Sequence, residues 1–151
     1  MLKTILLARP HPLIIAEMKP FLDQNGFSSK KLDSLASIST SSLDVSSAII
    51  SLAVTSSIGG SVEEVFSGMR HHAHRLPILF TAMQDFAAMK GVFRRLAKSN
   101  EFEATILGAD SASENHPDLG KPDTLLYLSM GDLSAPNRRE LASRMVQRHF
   151  R

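Results

Sequence analysis

The chain predicts an α/β fold, a three-layer, doubly wound and mainly parallel sheet, and three observations carry that expectation. Short apolar runs alternate with segments of helical periodicity along most of the 151 residues, the pattern left by crossover units on a parallel sheet. The runs are continuous in hydrophobicity, as strands covered on both faces must be. A composition of 43% hydrophobic and 21% charged residues fits a single domain, spanning residues 1–151, with one sizeable core.

Ile5 to Ala8 reads as the first buried strand. Residues 12–25 follow as a helix: Pro12 suits its first turn, Leu13, Ala16, Met18 and Leu22 form an apolar stripe, and Asn25-Gly26 stops it. Pro20 is an irregularity, because a proline inside a helix removes a backbone bond. A short strand near 29–33 and a short helix near 34–42 fit the next spacing, although the serine-rich tract 34–47 reads equally well as a mobile, modifiable surface segment. Ala48 to Thr55 is a strong strand, and Ser57, Gly59 and Gly60 turn it into a helix over 61–73. Ser61 and Glu64 have the spacing of a reciprocal cap on that helix.

Leu76 to Ala82 forms the next strand. The helix over 84–98 carries Phe86, Met89, Val92 or Phe93, and Leu96 on one side, with Lys90, Arg94, Arg95 and Lys98 on the other. Ala104 to Ala109 reads as a strand. Turn formers fill 110–123, and a last apolar run spans Leu125 to Met130. The segment 110–130 exceeds a minimal unit of this kind, and a hairpin pairing 104–109 with 125–130 would accommodate it. Residues 137–149 form the closing helix, with Leu141, Met145 and Phe150 inward.

No run reaches the roughly 18 apolar residues that a membrane span needs, and the N-terminus lacks the ordered regions of a signal peptide, so a cytoplasmic location is expected. With no cysteine the chain has no disulfide, thiolate metal site or cysteine nucleophile. A net charge of +2 and a pI near 9.2 are too mildly basic to imply nucleic acid. No helix-turn-helix pattern follows residue 130, so direct DNA binding is not expected.

The stretch Ile5-Leu6-Leu7-Ala8-Arg9-Pro10-His11-Pro12-Leu13-Ile14 closely resembles the opening of receiver domains of two-component response regulators, above all the branch whose first strand ends Ala-Asp-Asp-His-Pro-Leu. The resemblance covers roughly residues 3–109 and implies the receiver, or flavodoxin-like, arrangement. It also implies a degenerate pocket made of Arg9, Pro10, Ala53 and Thr81. The two acids that would hold magnesium are replaced by Arg9 and Pro10. The aspartate that would accept phosphate at the end of the third strand is replaced by Ala53. The strand-end hydroxyl survives as Thr81. The family's lysine falls near Gly108 or near Ser129, depending on which late run is the fifth strand, and Lys121-Pro122 mimics its Lys-Pro pair.

Magnesium requires hard oxygen ligands, and phosphoryl transfer to a carboxylate requires the cation. Arg9, Pro10 and Ala53 supply neither ligand nor acceptor, and the arginine adds an opposing charge. Aspartyl phosphorylation, magnesium, any other cofactor and enzymatic activity are therefore not expected. Arg9 either occupies the place of the cation, or attracts a small anion, or is merely solvated at a strand end.

The resemblance implies that the chain acts by binding a protein partner, with a homodimer as a further option, through the face formed by residues 84–109 and 137–149. Phe86, Phe93, Arg94, Arg95, Arg139 and Arg144 are the contact candidates. Other motifs have ordinary readings. His71, His72 and His74 lie between Arg70 and Arg75 and suit a helix end better than a metal site. His11 suits its His-Pro turn better than a catalytic base. The alternative function is a small α/β ligand-binding protein or enzyme with an anion or nucleotide site at the Ser56 to Ser61 turn, a strand-to-helix junction whose backbone donors suit an anion and whose Ser57 and Gly60 are the positions to alter in a test.

Overall fold

The computed structural model describes residues 3–9, 11–32, 45–52, 61–72, 76–84, 86–101, 103–109, 115–121 and 123–150. Among them the element order is β1 (Lys3–Arg9), α1 (Pro12–Gln24), β2 (Phe27–Lys31), β3 (Ser47–Ser51), α2 (Val62–His72), β4 (Ile78–Ala82), α3 (Phe86–Ser99), β5 (Thr105–Gly108), β6 (Thr124–Ser129), α4 (Met130–Ser134) and α5 (Pro136–His149). The short helix expected near 34–42 lies outside the described residues. No described helix is long and apolar enough to cross a membrane.

The strands form one six-stranded sheet in the order β2-β1-β3-β4-β6-β5, and every pairing is parallel. The interior strands β3, β4 and β6 are buried at every position, which accounts for their unbroken apolar runs. The edge strands are shorter in apolar content: β2 reads Phe-Ser-Ser-Lys-Lys and β5 Thr-Ile-Leu-Gly. Alternate strand residues feed two cores. Ile5, Leu7, Ile49, Leu79, Leu126 and Leu128 pack with α1, α4 and α5 on one face. Leu6, Ala8, Ala48, Ile50, Ile78, Phe80, Leu125 and Tyr127 pack with α2 and α3 on the other. This is the three-layer, flavodoxin-like α/β architecture expected from the sequence.

The late part of the sheet corrects one expectation. Segments 104–109 and 125–130 do pair, yet not as a hairpin, because Thr105 to Gly108 run parallel to Thr124 to Tyr127. The long connection over 109–123 can return the chain to the starting end of the sheet, which a tight hairpin loop cannot do. β6 takes the interior place because all six of its residues are buried, whereas β5 is half-covered. It is thus β6, not β5, that lies beside β4.

Helix α1 corrects another. Its buried residues are Ile14, Met18, Phe21 and Leu22, at i, i+4, i+7 and i+8, so the stripe keeps Met18 and Leu22 of the expected one and takes Ile14 and Phe21 in place of Leu13 and Ala16. Leu13 is 70% exposed. The helix runs through Pro20, because Pro20 and Ala16 both face solvent, where the released carbonyl of Ala16 meets water. The Ser61 and Glu64 cap forms as expected: Glu64 N donates to Ser61 Oγ, and Ser61 N donates to Glu64 Oε1, each at 3.1 Å.

Candidate functional site at the carboxyl edge of the sheet

β1, β3, β4 and β6 end side by side, and the residues at their ends include Arg9, Ser51, Thr81, Ala82 and Ser129. A register shift lies between Leu7 and Arg9, so that Arg9 sits against Ile50. Such a bulge re-aims the side chain that follows it. Arg9 is only 4% exposed, and its Nη1 donates to the Ser51 carbonyl at 2.9 Å. Burial lowers the pKa of its guanidinium below the ordinary arginine value. The reading of Arg9 as a solvated strand-end residue is thereby overturned.

Thr81 is fully buried on the interior strand β4, and among the described residues its Oγ1 has no hydrogen-bond partner. Pro10 and Ala53, the other members of the expected pocket, lie outside the described residues. At the end of β6, where the lysine of the resembled family would stand, is Ser129. Its side chain and backbone form a reciprocal cap with Asp132: Ser129 N donates to Oδ2 at 2.8 Å, and Asp132 N donates to Ser129 Oγ at 3.2 Å. Asp132 is buried, and Arg138 Nη2 lies 3.1 Å from its Oδ1, an ion-pair distance without hydrogen-bond alignment. The Ser-x-x-Asp spacing announces this cap, but the sequence reading ended its last strand at Met130 and missed the short helix α4.

Lys121 is not at this edge. It precedes β6, at the opposite end of the strands, and its Nζ bonds Asp118 Oδ1 at 2.9 Å. That bond and the one from Thr105 Oγ1 hold the Asp118 carboxyl below its usual pKa. Pro122 lies outside the described residues.

Beside the strand ends is a cleft of about 340 Å³ lined by His11, Leu13, Ile14, Leu52, Ala82, Met83, Gln84 and Met89. Leu13 and Met83, at 70% and 71% exposure, are the exposed large hydrophobics among the described residues. His11 is the N-cap of α1, where its Nδ1 accepts a hydrogen bond from Leu13 N at 3.3 Å. Periodicity alone points to Leu13 as core, so sequence reasoning missed this cleft.

The partner-contact candidates separate into two groups. Arg94 and Arg95 are exposed on α3 together with Lys90 and Lys98, and among the described residues these four make no ion pair. Lys90 lies over the ring of half-buried Phe86, 5.0 Å from its centroid. Phe93 is fully buried, packed against Phe80 at 5.1 Å and Tyr127 at 5.6 Å, so it is a core residue and is withdrawn as a contact. Arg139 serves the fold: it donates to the Leu133 carbonyl and to Gln24 Oε1, each at 2.7 Å, and covers the ring of Phe21. Arg144 lies 3.6 Å from Glu140 one turn away.

His71 is exposed on α2, His74 lies outside the described residues, and no group of three metal-ligating side chains occurs among the described residues. Residues 56–60 of the Ser56 to Ser61 turn also lie outside them, and Ser61 is engaged in the α2 cap. Comparison of the chain with protein-family models, with curated proteins and with solved structures finds no match.

Proposed function

We propose that this chain is a receiver-like signalling module that takes no phosphoryl group and works by binding a protein partner, in the manner of a degenerate response-regulator domain in the cytoplasm. The observation that carries this reading is the buried Arg9. A receiver needs carboxylates where β1 ends, whereas here a guanidinium reaches across to the Ser51 carbonyl. A fixed positive charge there opposes a divalent cation electrostatically and offers it no oxygen ligand. Ala53 in the acceptor position, read from the sequence, points the same way. With the switching chemistry lost, what such a fold retains is its surface.

The exposed cations of α3 supply that surface. Lys90, Arg94 and Lys98 follow one another at intervals of four and share one side of the helix, and Arg95 adjoins them. Small exposed residues accompany them in the first turns of the helix, Ala87 and Ala88 before Lys90 and Gly91 after it. An acidic segment could approach the helix backbone closely there and be held by charge at the sides, which favours fast and specific association. Incubation with acetyl phosphate and magnesium, followed by intact mass measurement, is expected to add no phosphoryl mass. Affinity capture is expected to retain a protein that is lost when Arg94 and Arg95 are both replaced by Glu. A phosphorylated product, or capture unaffected by that double substitution, would reject the proposal.

A further inference from the structure

A doubly wound sheet has one place where the chain leaves a central strand in both directions, and the crevice beyond the carboxyl ends of those strands is where such sheets take ligands. In the order β2-β1-β3-β4-β6-β5, that place is between β1, whose connection leads out to β2, and β3, which begins the run to the other edge. The cleft described above opens beside it. His11, Leu13 and Ile14 follow β1, Leu52 follows β3, and Ala82, Met83 and Gln84 close β4.

From this geometry we infer that the cleft is a binding site for a small amphipathic molecule, an apolar chain or ring carrying one oxygen acceptor. Its volume of about 340 Å³ falls at the lower end of the range of small-molecule pockets, about 300–1,000 Å³. Of the eight described lining residues six are apolar, and none of the eight is acidic. Leu13 and Met83 stand in water at 70% and 71% exposure, so covering them returns apolar area from solvent without disturbing the core. Met83 and Met89 are adaptable walls, because unbranched thioethers repack around ligands of different outline.

The polar end of the ligand is set by His11. Its Nδ1 accepts the Leu13 N–H, which places the proton of the neutral ring on Nε2. Among the described residues that Nε2–H has no partner. Beside its apolar wall the cleft therefore offers the imidazole donor of His11, with Gln84 as the other polar lining residue, and a head group that accepts matches the imidazole. The described residues that line this site are not those of the Ser56 to Ser61 turn, and the assignment does not depend on the fate of the phosphorylation chemistry.

Octanoate and octylammonium test the assignment, because they share a chain and differ in whether the head accepts or only donates. Titration followed by amide ¹H–¹⁵N shifts is expected to give saturable changes with octanoate centred on His11, Leu13, Leu52, Met83 and Met89, with octylammonium about tenfold weaker, the worth of one hydrogen bond to a charged group. Met83→Asp places a charge in an exposed wall, leaves the core untouched and is expected to abolish the octanoate response. His11→Asp keeps a good N-cap oxygen for Leu13 N, so α1 stays folded, and is expected to reverse the preference toward octylammonium. The inference is overturned if octanoate gives no saturable shift, if Met83→Asp leaves the response unchanged, or if His11→Asp leaves the head-group preference as it was. It is also overturned if the same amides shift with protein concentration alone, which would give the cleft to a second copy of the chain.

Discussion

At the amino-terminal edge of the sheet, polar groups of the closing helix and the late connection are tied to distant strands, whereas at the carboxyl-terminal edge the described residues hold the Arg9 bond to Ser51 and the local cap of Ser129 with Asp132 beside an open cleft and a Thr81 hydroxyl with no partner among them. His149 is the knot of the first edge. From the last turn of α5 it is fully buried, its Nε2 lies 3.0 Å from the Ile78 carbonyl, and its Nδ1 accepts from Gly120 N at 3.1 Å. Those bonds join the closing helix to the start of β4 and to the 109–123 connection. Arg70 with Asp123 at 2.9 Å, and Asp118 with Thr105 and Lys121, continue the closure. The hydroxyl of Ser47 is the exception there. A buried polar group satisfied as His149 is specifies one arrangement. The edge tied by His149 carries the fold, and the edge beside the cleft carries the candidate sites.

The sharpest way to break that comparison is to remove His149. Replacement by Ala leaves the Gly120 N–H and the Ile78 carbonyl without their partner and opens a cavity, and is expected to cost about 3–5 kcal/mol in urea unfolding. The pH dependence follows from the same burial. Desolvation lowers the His149 pKa from 6.5 to about 4, against the opposing effect of the bond to Ile78. Between those values the unfolded chain binds a proton that the folded chain does not, so stability is full above about pH 6.5 and falls as the pH drops toward 4, by on the order of 3 kcal/mol. His149→Ala should flatten most of that slope. A stability profile that is level from pH 7 to 4 in the unaltered protein would mean that the imidazole is not the knot described.

The carboxyl edge should yield a smaller loss. Arg9→Met keeps most of the buried volume, removes the charged donor from the Ser51 carbonyl, and also removes the desolvation cost of the guanidinium. These effects oppose one another, and the net loss is expected to be about 1–2 kcal/mol in the same measurement. A loss larger than that of His149→Ala would invert the comparison and make the carboxyl edge the structural anchor.

How legible these edges were in the sequence follows the range of the interactions. The alternation of apolar runs and helical segments reported the layers, because burial on both faces marks a central strand locally. The Ser61 and Glu64 cap was readable for the same reason, since both partners lie within one turn. Strand order was not. That β6 inserts between β4 and β5 depends on which of two apolar runs competes better for an interior place, a long-range outcome to which no single residue testifies. His149 was invisible for a related reason: its partners Gly120 and Ile78 lie 29 and 71 residues away, and the sequence shows only one histidine in an arginine-rich helix. The departure at Arg9 was legible as chemistry but not as structure, because its burial rests on a bulge and on a carbonyl 42 residues distant. The cleft escaped notice because an apolar residue on a helix is read as core by default, and Leu13 is the one that the α1 stripe leaves outside.

The smallest expected effect also has the opposite sign. Thr81 is buried on β4 with no partner for its hydroxyl among the described residues, a condition that costs free energy whenever water is excluded. Valine has nearly the same shape and the same preference for strands, so Thr81→Val removes the unsatisfied group without opening a cavity. It is expected to raise stability by up to about 1 kcal/mol in urea unfolding, where the usual core substitution lowers it. The direction of the change is the informative part. A gain means that the carboxyl edge holds an unmet hydrogen bond, a cost borne by the fold beside its candidate site. A loss of 1 kcal/mol or more would mean that the hydroxyl is satisfied in solution, and the two ends of the sheet would then be equally closed.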